Sequence, residues 1–489
     1  MKYLLHIFYI SMIFLIACGG KEEIVQTPDT PDNPQTEART KQIIVYYTND
    51  EHGWMKEQDD YSGASGMVEN WTTNHTYNDS DSILVLSGGD MWTGPAISTW
   101  YKGKSMVDVM NEMGYDACAL GNHEFDFTVD NIIQRAEQMN FPFLCANIEE
   151  KATGQIPSFA QPYIVKSCNG IKVGIIGLAL ESTPNVTMPI NVEDYRFTPY
   201  SDAINKYAPL AQAEGAEILI VIGHMGESHM AGLASTAAKY DVVLIGGGHA
   251  HQIVNRKQND VQLIQAKSGL RNFAKVIIEY NPNSKASNIK LAQVYSNNLV
   301  GANAEVESII DRWSDSIAQD LSEVIGYSDT GVSGGSNAMK NMVCDSWLAE
   351  LPQGDVSITN SGGIRQSLAP GEITIEDIVG VLPFDNQLIE LELTGAQILD
   401  CLGNNIVGGM TTKNGNFLAN GDPLLSQDPY IVITTDYLYY QSNSKFALYD
   451  DTPVFTGVGY YQPTVNWIRS KGTTQTDPIN NYLDNQSRR

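Results

Sequence analysis

The sequence lacks the short motifs that identify nucleotide cofactors and small zinc modules. No P-loop, no G-x-G-x-x-G after a strand and no C-x-x-C pair occurs in its 489 residues, so those classes find no support. Basic side chains are also scarce, since 30 lysines and arginines face 57 acidic residues. A nucleic-acid polymer or an anionic membrane surface requires a basic patch, and we expect neither as a partner. An anionic small substrate would have to be held by local positive charge.

The six cysteines are irregularly spaced, and five of them lie in or beside apolar stretches. We predict buried free thiols for these five, because a reduced cysteine behaves as a small apolar side chain. Disulfides stay open as an alternative, since the amino terminus points to export into an oxidising compartment. The composition is otherwise ordinary, with 42% hydrophobic and 18% charged residues, and the length fits two globular domains plus export material.

The amino terminus has the pattern of an exported, lipid-anchored protein. Residues 1–17 combine a short charged start with an apolar run ending in small residues, which predicts a signal peptide. Leu15-Ile16-Ala17-Cys18 resembles a lipobox, the signal for lipid attachment to Cys18, and several acyl chains there would anchor the protein to a membrane. We expect an outer-membrane lipoprotein facing the periplasm or the cell surface. An ordinary signal peptide with an incidental cysteine is the alternative.

Residues 18–40 are predicted to form a lipidated, disordered stalk. They are rich in proline, threonine, acidic residues and glutamine and contain few large apolar side chains, so they cannot bury a core. Glu22 and Glu23 resemble sorting tags that send some lipoproteins to the outer cell surface. A solvated linker explains the two acidic residues equally well.

Short apolar runs of strand length in the amino-terminal half each end in a cluster of metal-capable residues. The clusters are TNDEHG at 48–53, GGD at 88–90, GNHEFD at 121–126, GHMG at 223–226 and GGHAH at 247–251. Five of the eight histidines fall in them. Stretches of helical character separate the runs, and chemistry at strand ends is typical of α/β sheets.

The spacing within the clusters suits metal coordination. In Asp50-x-His52 and His249-x-His251, alternation along an extended strand end would point both side chains of each pair to the same side. Asp90, after two glycines, could bridge two ions with its carboxylate. Mixed carboxylate, amide and imidazole ligands suit Mn, Zn or Fe better than Ca or Mg alone. Any one cluster by itself is more often an ordinary loop than a metal site.

The five clusters, in this order, resemble the signature blocks of the calcineurin-like metallophosphoesterases, in the branch of the bacterial 5'-nucleotidases. The resemblance implies an α/β fold with a four-layer α/β/β/α metallophosphoesterase domain and two bound divalent ions, Mn or Zn, with Fe as a further option. It also implies the ligands of both ions. One ion would be held by Asp50, His52, Asp90 and His251, and the other by Asp90, Asn122, His224 and His249.

The same resemblance implies a catalytic pair and a mechanism. His123 and Asp126, in the GNHEFD cluster, would stabilise the transferring phosphoryl group and help the leaving oxygen depart. Phosphate would be released by in-line attack of a metal-bound hydroxide. Hydrolysis of 5'-nucleotides is the function that these roles imply.

The chain is predicted to contain a second domain. The metallophosphoesterase domain is expected at 41–298, a linker helix at 299–325 and a smaller α/β or α+β domain at 326–489. In this last part we expect a helix at 337–351, a strand at 356–359, an unassigned apolar run at 375–382 and strands around Leu388 and Ile431. The linker helix is the expected neighbourhood of a hinge between the domains.

The second domain carries the expected substrate contacts. Asn360-Ser361-Gly362-Gly363-Ile364-Arg365 follows a strand, and a glycine pair with a nearby arginine suits a docked anion or a tight turn with a surface arginine. NSGGIR resembles the signature of the 5'-nucleotidase carboxy-terminal domain. The resemblance implies substrate binding by Asn360, Gly363 and Arg365 and stacking of the base between Phe384 and Tyr437.

Two departures from the family pattern leave the substrate open. The family follows the second aromatic with Gly-Gly-Asp, whereas this chain has Tyr439-Tyr440-Gln441-Ser442. A further substrate arginine expected before residue 337 is replaced by small residues around Gly335. A small phosphorylated substrate, a nucleotide by resemblance, is therefore expected. The alternatives are a phosphoesterase for 2',3'-cyclic nucleotides or nucleotide sugars, and a non-catalytic surface-binding lipoprotein. The sequence leaves the oligomeric state open.

Overall fold

A computed structural model describes residues 40–78, 80–298, 301–442 and 444–489. The predicted signal peptide, Cys18 and all but the last residue of the predicted stalk lie outside the described residues. Within the described ranges, no helix combines the length and apolar character that crossing a bilayer requires. The five cysteines in these ranges are buried and free, as predicted from their apolar surroundings.

The first part of the chain alternates strands and helices. Its strands are β1 Lys41–Thr48, β2 Ile83–Ser87, β3 Ala117–Ala119, β4 Phe143–Leu144, β5 Ile148–Glu150, β6 Tyr163–Cys168, β7 Ile171–Leu178, β8 Tyr195–Phe197, β9 Ile218–Gly223, β10 Val242–Gly246, β11 Ile253–Gln258, β12 Val261–Ala266, β13 Asn272–Asn281 and β14 Ala286–Ser296. Its helices are α1 Gly63–His75, α2 Ala96–Thr99, α3 Lys104–Glu112, α4 Val129–Gln138, α5 Tyr200–Ala213 and α6 Glu227–Ala237. The apolar runs identified in the sequence coincide with the strands that precede the metal-capable clusters.

Two sheets, each of six described strands, pack face to face. Their orders are β14-β13-β1-β2-β3-β4 and β11-β12-β10-β9-β7-β6. Alternation along the strands makes the layers, because Val45 of β1 and Ile220 of β9 point into the core between the sheets. Their neighbours point outward, Tyr46 to the side of α1 and α3 and Val221 to the side of α5 and α6. The result is helix, sheet, sheet, helix.

Parallel pairing brings the functional clusters to one edge of each sheet. β1 pairs in parallel with β2 and β2 with β3, and β7 pairs in parallel with β9 and β9 with β10. The carboxyl ends of parallel strands lie at the same edge. The metal-capable clusters follow the ends of β1, β2, β3, β9 and β10, so residues far apart in sequence converge there.

A long helix, α7 Ala304–Leu321, follows these sheets. Asn303 caps its amino terminus, because the Asn303 side chain accepts a hydrogen bond from the Val306 amide. Ile310 and Ile317 pack it into the outer core on the side of α1 and α3. A helix therefore forms within the range predicted for the linker, and its apolar stripe packs against the first part of the chain.

The remaining chain forms a smaller mixed unit around a five-stranded sheet. The strands are β15 Val324–Ser328, β16 Val356–Thr359, β17 Gly371–Thr374, β18 Gln387–Thr394, β19 Ile406–Gly408, β20 Met410–Thr411, β21 Phe417–Leu418, β22 Pro429–Thr435 and β23 Val454–Gly459. The helices are α8 Asn337–Glu350, α9 Ile375–Val381, α10 Gly395–Cys401, α11 Asp436–Tyr440, α12 Phe446–Tyr449 and α13 Gln462–Lys471. The sheet order in the described chain is β19-β16-β22-β18-β23. The observed architecture is the predicted α/β fold with a smaller second α/β part.

The two large sheets meet closely at Gly177 on β7. A Cβ atom at Gly177 would overlap the backbone carbonyl of Leu144 on β4. We therefore expect Gly177→Ala to lower the free energy of unfolding by about 1–3 kcal/mol through overpacking. Gly232→Ala is the control, because a Cβ there meets open space on the exposed face of α6, and it should raise stability by about 0.4–1 kcal/mol. Urea denaturation measures both changes, and equal values for the two variants would contradict the close approach.

Candidate functional site

The loops after the strands adopt an uncommon backbone conformation at the predicted ligands. The positive-φ residues include Asp50 at 52°, His52 at 49°, Asp90 at 61°, His249 at 69° and His251 at 52°. Non-glycine residues adopt this left-handed conformation at a free-energy cost of about 1–3 kcal/mol each, and they do so mainly at functional sites. The interpretation of Asp50-x-His52 and His249-x-His251 as extended strand ends is therefore wrong, because both pairs lie in left-handed turns beyond β1 and β10.

Backbone hydrogen bonds hold two of these strained loops together. The Asp50 amide donates to the Gly89 carbonyl at 2.9 Å, the His52 amide to the Asp90 carbonyl at 2.9 Å, and the Gly53 amide to the Met91 carbonyl at 2.7 Å. Successive residues after β1 are thus paired with successive residues after β2. This pairing fixes Asp50, His52 and Asp90 relative to one another.

Asp50, His52 and His251 form one group that could hold a metal ion. His251 Nε2 lies 3.3 Å from Asp50 Oδ1 and 3.1 Å from His52 Nε2. His52 Nδ1 faces the Thr93 carbonyl at 2.9 Å. A hydrogen bond there places the proton on Nδ1, so that the Nε2 lone pair is free and directed at the group.

Asp90, His224 and His249 form a second such group, and His52, Asp90 and His123 form a third that overlaps both. His224 Nε2 lies 2.9 Å from Asp90 Oδ2, and His249 Nδ1 lies 3.1 Å from Asn122 Oδ1. Asp90 Oδ2 is also 3.9 Å from His52 Nε2, so this carboxylate lies between the two groups. The structure therefore brings all seven predicted metal ligands together at the sheet edge.

The donor atoms fit a bound cation. His224 is fully buried, its Nδ1 faces the Gly88 carbonyl at 2.9 Å, and its Nε2 is directed at the Asp90 carboxylate. This orientation suits a metal ligand, because imidazoles that ligate metals fix their other nitrogen on a carbonyl. Burial lowers the pKa of His52 well below its usual value, which keeps that ring in the neutral form that coordinates metals.

His123 and Asp126 form a hydrogen-bonded pair beside these groups. His123 Nδ1 lies 2.7 Å from Asp126 Oδ2, and the His123 amide donates to Asp90 Oδ1 at 2.9 Å. Burial alone would lower the pKa of His123, but the carboxylates of Asp126 and Asp90 raise it above its usual value. An imidazole oriented in this way can hold a proton near neutral pH.

The sequence analysis did not identify Glu124. Its side chain joins the loops that follow β2 and β3. Its buried carboxylate accepts hydrogen bonds from the amides of Asp90 at 3.0 Å, Met91 at 2.8 Å and Gly121 at 2.5 Å. Burial raises the pKa of Glu124 to about 7. The residue lies inside the GNHEFD cluster, but only the folded structure shows its amide partners on another loop.

The predicted substrate residues of the second part line a cavity of about 310 Å³ together with residues of the first part. The first part contributes Asn122, His123, Asp126 and His249, and the second contributes Asn360, Gly363, Arg365, Phe384 and Tyr437. The Phe384 ring stacks on His123 with ring centroids 5.8 Å apart. The expected aromatic and polar residues therefore share one cavity with His123 and Asp126.

Tyr460 is a second residue that the sequence did not reveal. Its buried hydroxyl accepts a hydrogen bond from the Phe384 amide at 2.9 Å and donates to the Gly363 carbonyl at 3.4 Å. One side chain thus ties the glycine-pair segment to the Phe384 segment. Tyr460 lies far along the sequence from both segments, so no motif around it indicates this role.

The segment that departs from the family pattern contacts the first part of the chain. Gln441 donates to the Thr187 carbonyl at 3.4 Å, and Ser442 donates to Asn185 Oδ1 at 2.8 Å. At the other departure, a Cβ atom added to Gly335 would meet no atom within 4 Å. The replacement of the expected arginine therefore leaves open space there.

Comparisons with known proteins agree with the resemblance. Residues 322–419 match the family model of the 5'-nucleotidase, C-terminal domain. The chain is 27% identical over 438 residues to the 5'-nucleotidase of Vibrio cholerae serotype O1, covering 78% of each protein. It is 25% identical over 434 residues to endonuclease YhcR of Bacillus subtilis, covering 79% of this chain but only 35% of that relative.

A solved structure shows the same fold. The crystal structure of the 5'-nucleotidase precursor from Thermus thermophilus superposes with a TM-score of 0.76 at 19% identity, covering 92% of this chain and 99% of that one. The predicted α/β fold is confirmed by this likeness. The resemblance to the 5'-nucleotidase family and the enzyme class that it implies, a phosphoester hydrolase, are confirmed by the relatives together. The roles of individual residues stay predictions.

Glu124 gives a test of how the site is held. Glu124→Ala would leave the amides of Asp90, Met91 and Gly121 buried without an acceptor, so we expect a loss of more than about 3 kcal/mol in unfolding free energy and a lower metal content. Denaturation and elemental analysis measure these quantities. Glu227→Ala removes an equally large acid whose partner, Arg256, is surface-accessible, and it should change stability by no more than about 1 kcal/mol. Unchanged metal content in the Glu124 variant would contradict its organising role.

Proposed function

We propose that this protein is an exported, metal-dependent phosphohydrolase that releases phosphate from 5'-nucleotides. One observation carries the proposal: the overlapping metal-capable groups, the His123–Asp126 pair and the aromatic residues Phe384 and Tyr437 border the same region of the protein. The relatives named 5'-nucleotidase support the choice of substrate.

The metal ligands are assigned as the sequence predicted. Asp50, His52 and His251 with Asp90 would hold one divalent ion, and Asn122, His224 and His249 with the same Asp90 would hold the other. Nitrogen and oxygen donors in this mixture suit Mn or Zn, with Fe as a further option. When bound, such a pair of ions polarises phosphoryl oxygens and makes water nucleophilic near neutral pH.

The chain's own residues orient the substrate and move a proton. Asp126 fixes Nδ1 of His123, so Nε2 is the atom that delivers a proton to the departing oxygen. The Asp90 carboxylate accepts a hydrogen bond from the His123 backbone amide. This bond sets the distance of the imidazole from the metal-capable groups. The pKa of His123, raised by the two carboxylates, keeps this proton available.

The second part of the chain binds the organic portion of the substrate. Asn360, Gly363 and Arg365 receive polar groups, and the base stacks between Phe384 and Tyr437, an arrangement that tolerates different bases. Cation–π contact between Arg365 and Phe384, at 5.8 Å from the ring centroid, orders both side chains before substrate arrives.

The cellular location is proposed from the amino-terminal sequence. A lipid on Cys18 anchors the enzyme to the outer membrane, on the periplasmic or the outer surface, where it acts on nucleotides outside the cytoplasm. Salvage of nucleosides and phosphate is the consequence. The acidic surface, with its net charge of -27, keeps the folded part away from anionic lipid.

Phosphate release from a substrate panel tests the proposal. The purified protein is assayed on nucleoside 5'-monophosphates, 2',3'-cyclic nucleotides, nucleotide sugars and p-nitrophenyl phosphate. We expect the highest kcat/KM for the 5'-monophosphates, complete loss after chelation, and recovery on adding Mn or Zn. A preference for cyclic nucleotides or nucleotide sugars would favour a related phosphoesterase. No phosphate release from any substrate with any metal would favour a binding lipoprotein with structural ions.

His123→Asn tests the assignment of the acid. Asparagine can still hydrogen-bond but cannot deliver a proton, so we expect kcat to fall by about 100- to 10,000-fold with nearly unchanged metal content. Steady-state kinetics and elemental analysis of the same preparation measure both. An equal loss of metal and activity would show that His123 is a ligand instead of the proton donor.

A further inference from the structure

A second cavity, of about 340 Å³, borders the metal-capable groups. His52 and His251 line it, and so does Arg365, which also lines the cavity of the aromatic residues. The same cavity contains Trp54 and Arg271. Arg271 is thus a cation of the first part of the chain that shares a cavity with two candidate metal ligands and with the substrate arginine of the second part.

The guanidinium of Arg271 is held in place without an acidic partner. It lies 4.7 Å from the ring centroid of Tyr61 and 5.5 Å from that of Trp54, and a Cβ on Gly269 would lie 2.7 Å from its Nη1. Among the described residues, no ion pair or side-chain hydrogen bond involves this guanidinium. In a chain with 57 acidic residues and 30 lysines and arginines, a half-buried arginine without a carboxylate leaves its charge available to an anion.

The loop that carries Arg271 is fastened to the loop that carries Asp50. The Gly269 amide donates to the Asp50 carbonyl at 2.7 Å, and the Asn49 side chain donates to the Lys267 carbonyl at 2.6 Å. The other end of the Asn49 amide accepts a hydrogen bond from the Ala266 backbone at 2.7 Å. Arg271 therefore has a fixed position relative to the first metal-capable group.

We propose that Arg271 binds the phosphate of the substrate, acting with Arg365 as a pair of guanidinium groups contributed by the two parts of the chain. The inference deepens the proposed nucleotidase function and rests on it for the identity of the substrate. Planar guanidinium groups match the oxygens of a phosphate dianion in geometry and charge. The arginine expected near Gly335 is absent, and Arg271 supplies the second positive charge from a different position in the fold.

A purely structural role is the competing explanation. Stacking between Arg271 and the rings of Tyr61 and Trp54 stabilises a protein by itself, by a cation–π interaction. The two explanations differ in what a substitution changes. A phosphate contact affects phosphate affinity and KM, whereas a packing contact affects the melting temperature.

Arg271→Met, which keeps much of the side-chain length and removes the charge, is the test. With the Mn-loaded protein, we expect Kd for inorganic phosphate, measured by calorimetry, and KM for nucleoside 5'-monophosphates to rise by about 10- to 100-fold. Metal content should stay the same, and Arg271→Lys should recover part of the affinity. Arg256→Met is the matched control, because Arg256 on β11 is paired with Glu227 on α6, and it should leave Kd and KM unchanged.

The outcomes separate this inference from the proposed function. Unchanged phosphate affinity in Arg271→Met, with or without a lower melting temperature, would overturn the inference and leave the nucleotidase proposal standing. Calorimetry with phosphate does not depend on turnover, so the role of Arg271 can be measured even if every nucleotide proves to be a poor substrate. In that case the proposed function fails, while a rise in Kd would still support phosphate binding by Arg271.

Discussion

The pairing of the Asp50 loop with the Asp90 loop is the constraint on which the site depends. Three backbone hydrogen bonds join the residues after β1 to those after β2. They hold the backbone of these ligand residues in left-handed conformations that an isolated loop would not maintain. His224 Nε2 lies 2.9 Å from Asp90 Oδ2, and His251 Nε2 lies 3.3 Å from Asp50 Oδ1. Such a cluster of lone pairs is favourable chiefly when cations lie within it, so the fold commits this edge of the sheets to metal binding before substrate arrives.

Hydrogen bonds also connect the metal-capable groups to His123. Glu124 gathers the amides of Asp90, Met91 and Gly121 on one carboxylate, and Asp90 in turn accepts the His123 amide. The loops after β2 and β3 therefore form one rigid body. The position of His123 relative to the metal groups is set by the sheets, whereas the cavity wall opposite it comes from the second part of the chain. The two sides of this cavity are therefore built by different parts of the protein.

The sequence predicts elements better than it predicts contacts. Strand β16 lies at 356–359 as expected, because a short apolar run bounded by polar residues has one interpretation. The run at 375–382 is ambiguous by periodicity, and the capping box of Thr374 and Asp377 makes it helix α9. The converging ligands were predictable from their repeated placement after strands. Glu124 and Tyr460 were not, since their partners lie on loops elsewhere in the chain and a local pattern carries no trace of them.

Electrostatics explains why so acidic a chain can accept an anion. Long-range attraction is excluded by a net charge of -27, so affinity must come from charges within a few ångströms, where screening is weak. Burial raises the pKa of Glu51 to about 8 and that of Glu124 to about 7. Arg365 lines the cavity beside the predicted metal ligands and has no carboxylate partner among the described residues. Arg365 therefore adds positive charge beside the metal-capable groups, although the chain as a whole is strongly acidic.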